Sequence, residues 1–303
     1  MEIAIMIEGQ NGLNWPRWQK MAEVVEELGF AGMYRSDHFI NDTSPDLDSL
    51  ELLVSLTWLA SHTKRIEFGP LVSPVSVRQP ALTARMAAAV DDLAGGRLTL
   101  GLGAGWQERE HQLFGFDLLP LKERFDRFEE GLEVITRLLR SDQPVTYDGK
   151  YYQLRSATLL PRPKRPGGPR ILIGGNGEKR TLPYAAKYAD EWNAVFASPA
   201  EYARLSARLD ELLKQRGREP ESVRRSLMTG IRFGRTKKEL KEKLTAHKLN
   251  EAELRNRGIV VGVGEEVKEQ LFEREKAGVQ RVMLQWLELD NLDGLAALAK
   301  AVL

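Results

Sequence analysis

Leu98-Thr99-Leu100-Gly101-Leu102-Gly103-Ala104-Gly105-Trp106 is a β-like run that ends in spaced glycines, and its reading decides the rest of the chain. A GxGxG string at a strand end superficially suggests a dinucleotide fingerprint. The third glycine is missing and no strand-end acid follows at the required distance, so a Rossmann site is rejected. What remains is a strand, a glycine-marked turn and a helix. That unit recurs along the chain, with β-like runs beginning near Glu2, Gly32, Ile66, Leu98, Arg170, Trp192, Leu227 and Arg281. Between the runs, apolar residues recur every three or four positions. One such face is Trp15, Trp18, Ala22, Val25 and Leu28; another is Phe125, Phe128, Leu132, Ile135 and Leu139; a third is Tyr202, Leu205, Leu209 and Leu212. Gly29 closes the first helix, and Ser198-Pro199 opens the sixth as N-cap and first-turn proline. Strict alternation without a Pro/Ser-rich linker predicts a parallel sheet, and eight strands close a barrel. The predicted fold is α/β, a single (β/α)₈ TIM barrel over residues 1–303.

Two gaps break the even spacing, one of about seventy residues after the fourth run and one of about fifty-five after the seventh. The first holds a long helix from Lys122 to Arg140, then 143–170, rich in Pro, Gly and basic residues around Tyr151-Tyr152. That second part is expected to be an insertion over the barrel mouth with a short hairpin. The second gap holds a charged helix after Lys237 and another from Glu265 to Lys276, and no further buried strand is expected there.

The 42% hydrophobic content suffices for a substantial core, and 44 Lys plus Arg balance 43 Asp plus Glu. No excess charge points to nucleic acid or a membrane surface. The absence of cysteine excludes disulfides, thiolate metal sites and cysteine nucleophiles. No histidine pair with a carboxylate has metal-ligand spacing, so no metal is expected. No GxSxG elbow argues for an esterase. Met1-Glu2 leads straight into Ile3–Ile7 with neither a signal-like region nor a membrane span, so the expected location is cytoplasmic.

In a parallel barrel the chemistry sits where strands hand over to helices. The first run is followed by Glu8-Gly9-Gln10-Asn11-Gly12 and the second by Ser36-Asp37-His38. The third ends in Gly69-Pro70-Leu71-Val72-Ser73-Pro74 and the fifth in Gly174-Gly175-Asn176-Gly177. Three successive glycine-marked ends suggest backbone lying close to a flat, phosphate-bearing ligand. Gly174 to Gly177 precede a helix expected to begin at Glu178-Lys179-Arg180, whose free amides favour phosphate. The competing reading is a plain tight turn. Asp37-His38 is the best pair for acid, base or polarising work, against a packing role for the histidine. His62, His111 and His247 read as solvated or packed. Arg162, Lys164, Arg165 and Arg170 read as a solvated loop, or alternatively as a partner for an acidic cofactor tail.

These strings together resemble the luciferase-like monooxygenase and F420-dependent oxidoreductase superfamily over essentially the whole chain. They are Arg35-Ser36-Asp37-His38, Gly69 through Pro80 with its Val77-Arg78-Gln79-Pro80 end, Gly95-Gly96-Arg97, Gly101 through Trp106, Ile171 through Gly177, and Asp190-Glu191-Trp192-Asn193. Taken singly they are common; their order on successive strand ends carries the resemblance. Glu8-Gly9-Gln10 and Arg-Ser-Asp-His look closest to the deazaflavin-dependent branch. The resemblance implies a cis Leu71-Val72 peptide in a bulge of the third strand, against the cofactor's middle ring. It implies ring contacts from Asp37 and Ser73, with phosphate near Gly103, Ala104 and Gly105 and near Gly174, Gly175, Asn176 and Gly177. It also implies a homodimer.

There is a departure from the sugar-phosphate dehydrogenase branch. That branch has a glutamate where this chain has Trp106, and a tryptophan shortly after Asp-His, where this chain reads Phe39-Ile40-Asn41-Asp42. An indole donates one hydrogen bond and cannot shuttle protons. Gln10, Phe39 and Trp106 are the expected pocket residues, with Trp15 and Trp18 lining or backing the mouth or, by their helical spacing, packing in the core. The expected catalytic residues are His38 and Glu8. The leading expectation is coenzyme F420 and hydride transfer with a small organic substrate bearing an activated C=C, imine or quinone-like group. An FMN-dependent monooxygenase and a catalytically silent flavin-binding barrel are the alternatives.

Overall fold

A computed structural model describes residues 1–303. Its strands are β1 (Glu2–Ile7), β2 (Gly32–Arg35), β3 (Glu67–Pro70), β4 (Ser73–Pro74), β5 (Thr99–Gly103), β6 (Val145–Asp148), β7 (Gln153–Ala157), β8 (Arg170–Gly174), β9 (Glu191–Val195), β10 (Arg224–Phe233), β11 (Val260–Gly262) and β12 (Arg281–Gln285). Ten of them form one parallel sheet in the order β3-β2-β1-β12-β10-β9-β8-β5-β4, with β11 beside β10. The ring closes where Phe68 bridges Leu98 and its N–H donates to Arg97 O at 3.1 Å. β3 and β4 are one barrel strand interrupted at Leu71-Val72, whose peptide is cis, as the resemblance implied. Counting that pair once gives eight barrel strands, each starting within a few residues of its expected run. No helix is long and apolar enough to cross a membrane.

Alternation along the strands sorts residues by face. Ala4, Met6, Tyr34, Leu71, Leu172, Met228 and Met283 fill the barrel interior, while the larger apolar cluster lies between strands and helices. The three expected helix faces are mostly buried: Trp18, Ala22 and Val25; Phe128, Leu132, Ile135 and Leu139; and Tyr202, Leu205, Leu209 and Leu212. Trp18 donates its indole N–H to Ser55 O at 3.0 Å, and Trp15 lies edge-on to Trp58. Both tryptophans therefore serve helix packing.

One strand was not expected. Val260–Gly262 is buried and pairs in parallel with Ile231–Phe233, the overhanging end of β10. Three residues after a charged helix carry too little periodicity to announce a strand. The expected hairpin is present as β6 and β7. Its tip is held by Glu130, which accepts from the N–H groups of Lys150, Tyr151 and Tyr152, and Tyr152 Oη reaches Val75 O at 3.4 Å. In the basic stretch that follows, Lys164 is exposed, but the three arginines are engaged by the chain. Arg162 donates to the last carbonyls of the helix 121–140, Arg165 pairs with buried Asp91, and Arg170 pairs with Glu67 at the amino end of the barrel. Residues 143–170 thus touch the mouth through Tyr152 and otherwise follow the flank and the opposite end.

Candidate active site

The loops after β1 and β2 are set by buried Arg35. Its guanidinium donates to Ser55 Oγ, Leu50 O and Ser36 O, which fixes the chain entering Asp37-His38. Ser36 Oγ accepts from Gly9 N–H at 2.9 Å and donates to Gln10 Oε1 at 2.7 Å. With its oxygen so engaged, Gln10 points Nε2 at Glu8 Oε2, 3.0 Å away, while Gln285 Nε2 donates to Oε1 at 2.6 Å. Both Glu8 oxygens are held by primary amides, which donate but do not exchange charge. Glu8, expected as catalytic, lies at the mouth with both carboxylate oxygens hydrogen-bonded. Gln10, expected in the substrate pocket, is half-buried beside it and holds one of those oxygens.

Asp37 is 3% exposed, and its carboxylate is saturated. Ser73 Oγ donates to it at 2.8 Å, and Arg78 makes a two-pronged pair at 2.7 and 2.8 Å, the fork geometry that a guanidinium offers a carboxylate. Arg78 continues to Glu51 at 2.6 Å. The structure brings Asp37 and Ser73, both expected against the cofactor ring, together in a bond that links the second and third strand ends.

His38 Nδ1 lies 3.0 Å from Glu110 Oε1, and the other oxygen, Oε2, accepts Phe39 N–H at 3.0 Å. The Trp106 ring stands edge-on to the imidazole, centroids 5.4 Å apart, and is 61% exposed. Burial opposes a charge on the ring, but the Glu110 hydrogen bond and charge, with Glu8 and Asp37 beyond, outweigh it and raise the His38 pKa. Phe39 packs its ring against Phe114 and Phe116, backing the loop.

Across the mouth, the ends of β5 and β8 are neighbours in the sheet. Val72 sits between them: a Cβ added at Gly103 would lie 2.6 Å from one Val72 methyl and one at Gly174 3.3 Å from the other. These two glycines make room for the bulge. Beyond them the main chain turns through positive φ at Gly105 (86°) and Gly175 (123°). There the N–H groups of Ala104, Gly105 and Trp106, and of Asn176, Gly177, Glu178 and Lys179, donate to nothing within the chain. Two rows of free amides on adjacent strand ends suit an anion such as phosphate. The Asn176 side chain bonds the main chain of Val195, donating at 2.8 Å and accepting at 2.9 Å, and its own N–H stays free. One expectation needs correction. The helix begins at Thr181 rather than at Glu178, because 178–180 form a turn.

Glu110, Arg78 and Gln285 were not expected in the site. Arg78 stood inside a recognised string without a role. Glu110 reads as one more charge in Glu108-Arg109-Glu110, and nothing local distinguishes it from a solvated helix face. Of the other histidines, His111 is buried, with Nδ1 on Gln107 O and Nε2 on Ser76 Oγ, and His62 stacks on Trp58.

A family model described as luciferase-like monooxygenase matches residues 1–298. An F420-dependent glucose-6-phosphate dehydrogenase of Kineococcus radiotolerans is 34% identical over 166 residues, 54% of this chain and 48% of the relative. A 4-hydroxyprotoasukamycin monooxygenase of Streptomyces nodosus subsp. asukaensis is 29% identical over 204 residues, 67% of this chain and 52% of the relative. The chain thus spans about half the length of these curated relatives. An F420-dependent secondary alcohol dehydrogenase, solved with an F420-acetone adduct, superposes with a TM-score of 0.84 at 18% identity, covering 100% of this chain and 99% of the other. At that identity the likeness concerns the fold.

Proposed function

Because the chain belongs to the luciferase-like monooxygenase family, we propose that it is an oxidoreductase using coenzyme F420 on a small organic substrate. The cofactor's phosphate would rest on the free amides of Ala104 to Trp106 and of Asn176 to Lys179, and its ring against Leu71, Val72 and Ser73. When bound, coenzyme F420 supplies hydride to an activated C=C, imine or quinone-like group. The chain's own part is to bind, to shield and to hold a proton. His38 does the last, with Nδ1 engaged by Glu110 and Nε2 without a partner in the chain. That arrangement is the observation that carries the reading: a polarised imidazole beside Trp106, at the same end of the barrel as two strand ends with open amides. Glu8 and Glu110 favour the imidazolium, which suits protonation of the atom next to the one reduced.

Trp106, Phe39 and exposed Leu113 and Phe114 give this side of the mouth an apolar, aromatic rim. Such a rim favours a flat conjugated acceptor over a polyhydroxylated sugar phosphate. The same reading takes the protein as a homodimer with no nucleic-acid or membrane partner. The second reading, an FMN-dependent monooxygenase, is favoured by the monooxygenases among the relatives. Parallel titrations with coenzyme F420 and FMN, followed by a screen of conjugated acceptors and glucose 6-phosphate, separate the two. Tighter F420 binding and reduction of a conjugated acceptor are expected. Clearly tighter FMN binding replaces the first reading with the second, and robust sugar-phosphate oxidation overturns the role given to Trp106.

A further inference from the structure

Glu110 is 2% exposed, yet it lies on helix Glu108–Phe114 beside the barrel mouth, among exposed Trp106, Leu113 and Phe114. Its burial comes from the loop after β2, which it grips by two atoms: Oε1 lies 3.0 Å from His38 Nδ1, and Oε2 accepts Phe39 N–H at 3.0 Å. The helix in turn is tied down on both sides. Arg109 donates to Asp46 and Asn41 O, Gln107 Nε2 donates to Ile40 O, and His111 bonds Ser76. Residues 38–46 are therefore clamped by one short helix at several points, with Glu110 at the reactive end.

An ionised carboxylate accepts hydrogen bonds and donates none. Against Glu110 the His38 Nδ1 must carry hydrogen in either charge state of the ring, which assigns Nε2 as the position that gains and loses the proton. We propose that Glu110 is the positioning residue of this site: it fixes the His38 ring and its tautomer, so that Nε2 is the atom offered to substrate. This rests on the reading of His38 as the group that delivers the proton. Three carboxylates face the imidazole, namely Glu110 from helix 108–114, Glu8 from the loop after β1 and Asp37 from His38's own loop after β2, together with the edge of the Trp106 ring. Asp37 is neutralised by Arg78, and Glu8 is held by Gln10 and Gln285, so Glu110 is the carboxylate that bonds the ring.

Glu110→Gln tests it. A glutamine offers one oxygen where the site needs two acceptors. With that oxygen on Phe39 N–H, its amide nitrogen donates to Nδ1, and the imidazole is left neutral with hydrogen on Nε2. The first measurement needs no cofactor: an NMR pH titration of the four histidines, with His38→Asn to assign the signal. The His38 midpoint should move to lower pH in Glu110→Gln and return in part in Glu110→Asp, which keeps the charge. The second measurement is turnover against pH with coenzyme F420 and a conjugated acceptor. Glu110→Gln should lose about tenfold or more near pH ~8, the scale of one hydrogen bond to a charged group, and far less near pH ~6, at unchanged cofactor affinity. An unchanged His38 titration and an unshifted profile in a folded Glu110→Gln, with His38→Asn inactive, overturn the proposal. Normal turnover in His38→Asn overturns instead the reading on which it rests.

Discussion

The two ends of the barrel are built from the same residue types to opposite purposes. At the amino end, Arg281 is 1% exposed and donates to Glu2, to Glu67 and to Tyr34 Oη, while Arg170 and Arg224 add their own pairs to Glu67. Arg281, Arg170 and Arg224 each have a carboxylate there, and the interior is plugged. At the carboxyl end, pairs also form, but they leave valences open: His38 Nε2 beside a bonded Nδ1, and two rows of unpaired amides at the β5 and β8 ends. A (β/α)₈ barrel needs one end that holds the ring together and one that can receive a ligand. Ion pairs that satisfy each other belong to stability, and those that stop one bond short belong to the site.

The most severe way to break the comparison is at the plug. Arg281→Met removes the shared partner of Glu2, Glu67 and Tyr34 and leaves Glu67 to Arg170 and Arg224, which should cost about 3 kcal/mol in urea unfolding, the low end for a broken buried pair. Turnover per folded molecule should be kept, since no residue of the mouth touches Arg281. A loss under about 1 kcal/mol would show that the amino end is not held by this arginine. At the other end, His38→Ala leaves one Glu110 oxygen without its partner and should cost about 1–3 kcal/mol in unfolding, while depressing turnover per folded molecule by about 10²–10⁴-fold with coenzyme affinity retained. Near-normal turnover would make His38 a packing residue and erase the contrast.

A smaller effect is expected where the free amides lie. Gly175 turns at φ 123°, a conformation side chains rarely adopt, and the amides of Asn176 to Lys179 follow it. Gly175→Val should misdirect that row and weaken cofactor binding by more than about tenfold, or roughly 1.4 kcal/mol. Isothermal titration on a variant shown folded by circular dichroism reads it, and equal affinity would take the β8 end out of the site.

This contrast also explains what the sequence could and could not show. Strand starts, helix faces and glycine-marked turns were legible because each depends on residues close in the chain. So were Asp37 and His38, since a polar pair straight after a strand can hardly be anywhere but the mouth. Glu110, 72 residues from His38, was invisible, because its partner is chosen by where the ring closes. Arg162, Arg165 and Arg170 misled in the same way: a basic run looks solvated until Asp91, Glu67 and the end of helix 121–140 arrive to receive it. At Gly103 and Gly174, read for a ligand, the need for glycine also comes from within the chain, because Val72 lies where a Cβ would go. Val260–Gly262 was lost because three residues cannot show a period.

The finest test lies inside the plug, where two glutamates should answer pH with opposite signs. Glu67 loses some solvation by burial, but Arg281, Arg224 and Arg170 outweigh that and lower its pKa. Its contribution to stability is present above the ordinary glutamate range and is lost as pH falls through the lowered value. Glu191 is fully buried, and neither oxygen makes a hydrogen bond; Arg281 and Arg224 come no nearer than 3.7 and 3.9 Å. Burial therefore dominates and raises its pKa. The folded state then holds the proton more tightly than the unfolded chain, so stability declines as pH climbs from about 4.3, the unperturbed glutamate value, toward the raised one. Glu191→Gln copies the neutral form in shape. It should change stability by less than about 1 kcal/mol at acid pH, where both side chains are uncharged, and gain on the parent as pH rises. Glu67→Gln should show the reverse, falling further behind the parent as pH rises. Thermal melts of both variants across the acid-to-neutral range read the two slopes. Parallel slopes would mean that Glu191 is ionised with its arginines, and that the amino end holds a fully charged cluster rather than a salt-bridged ring around one neutral acid.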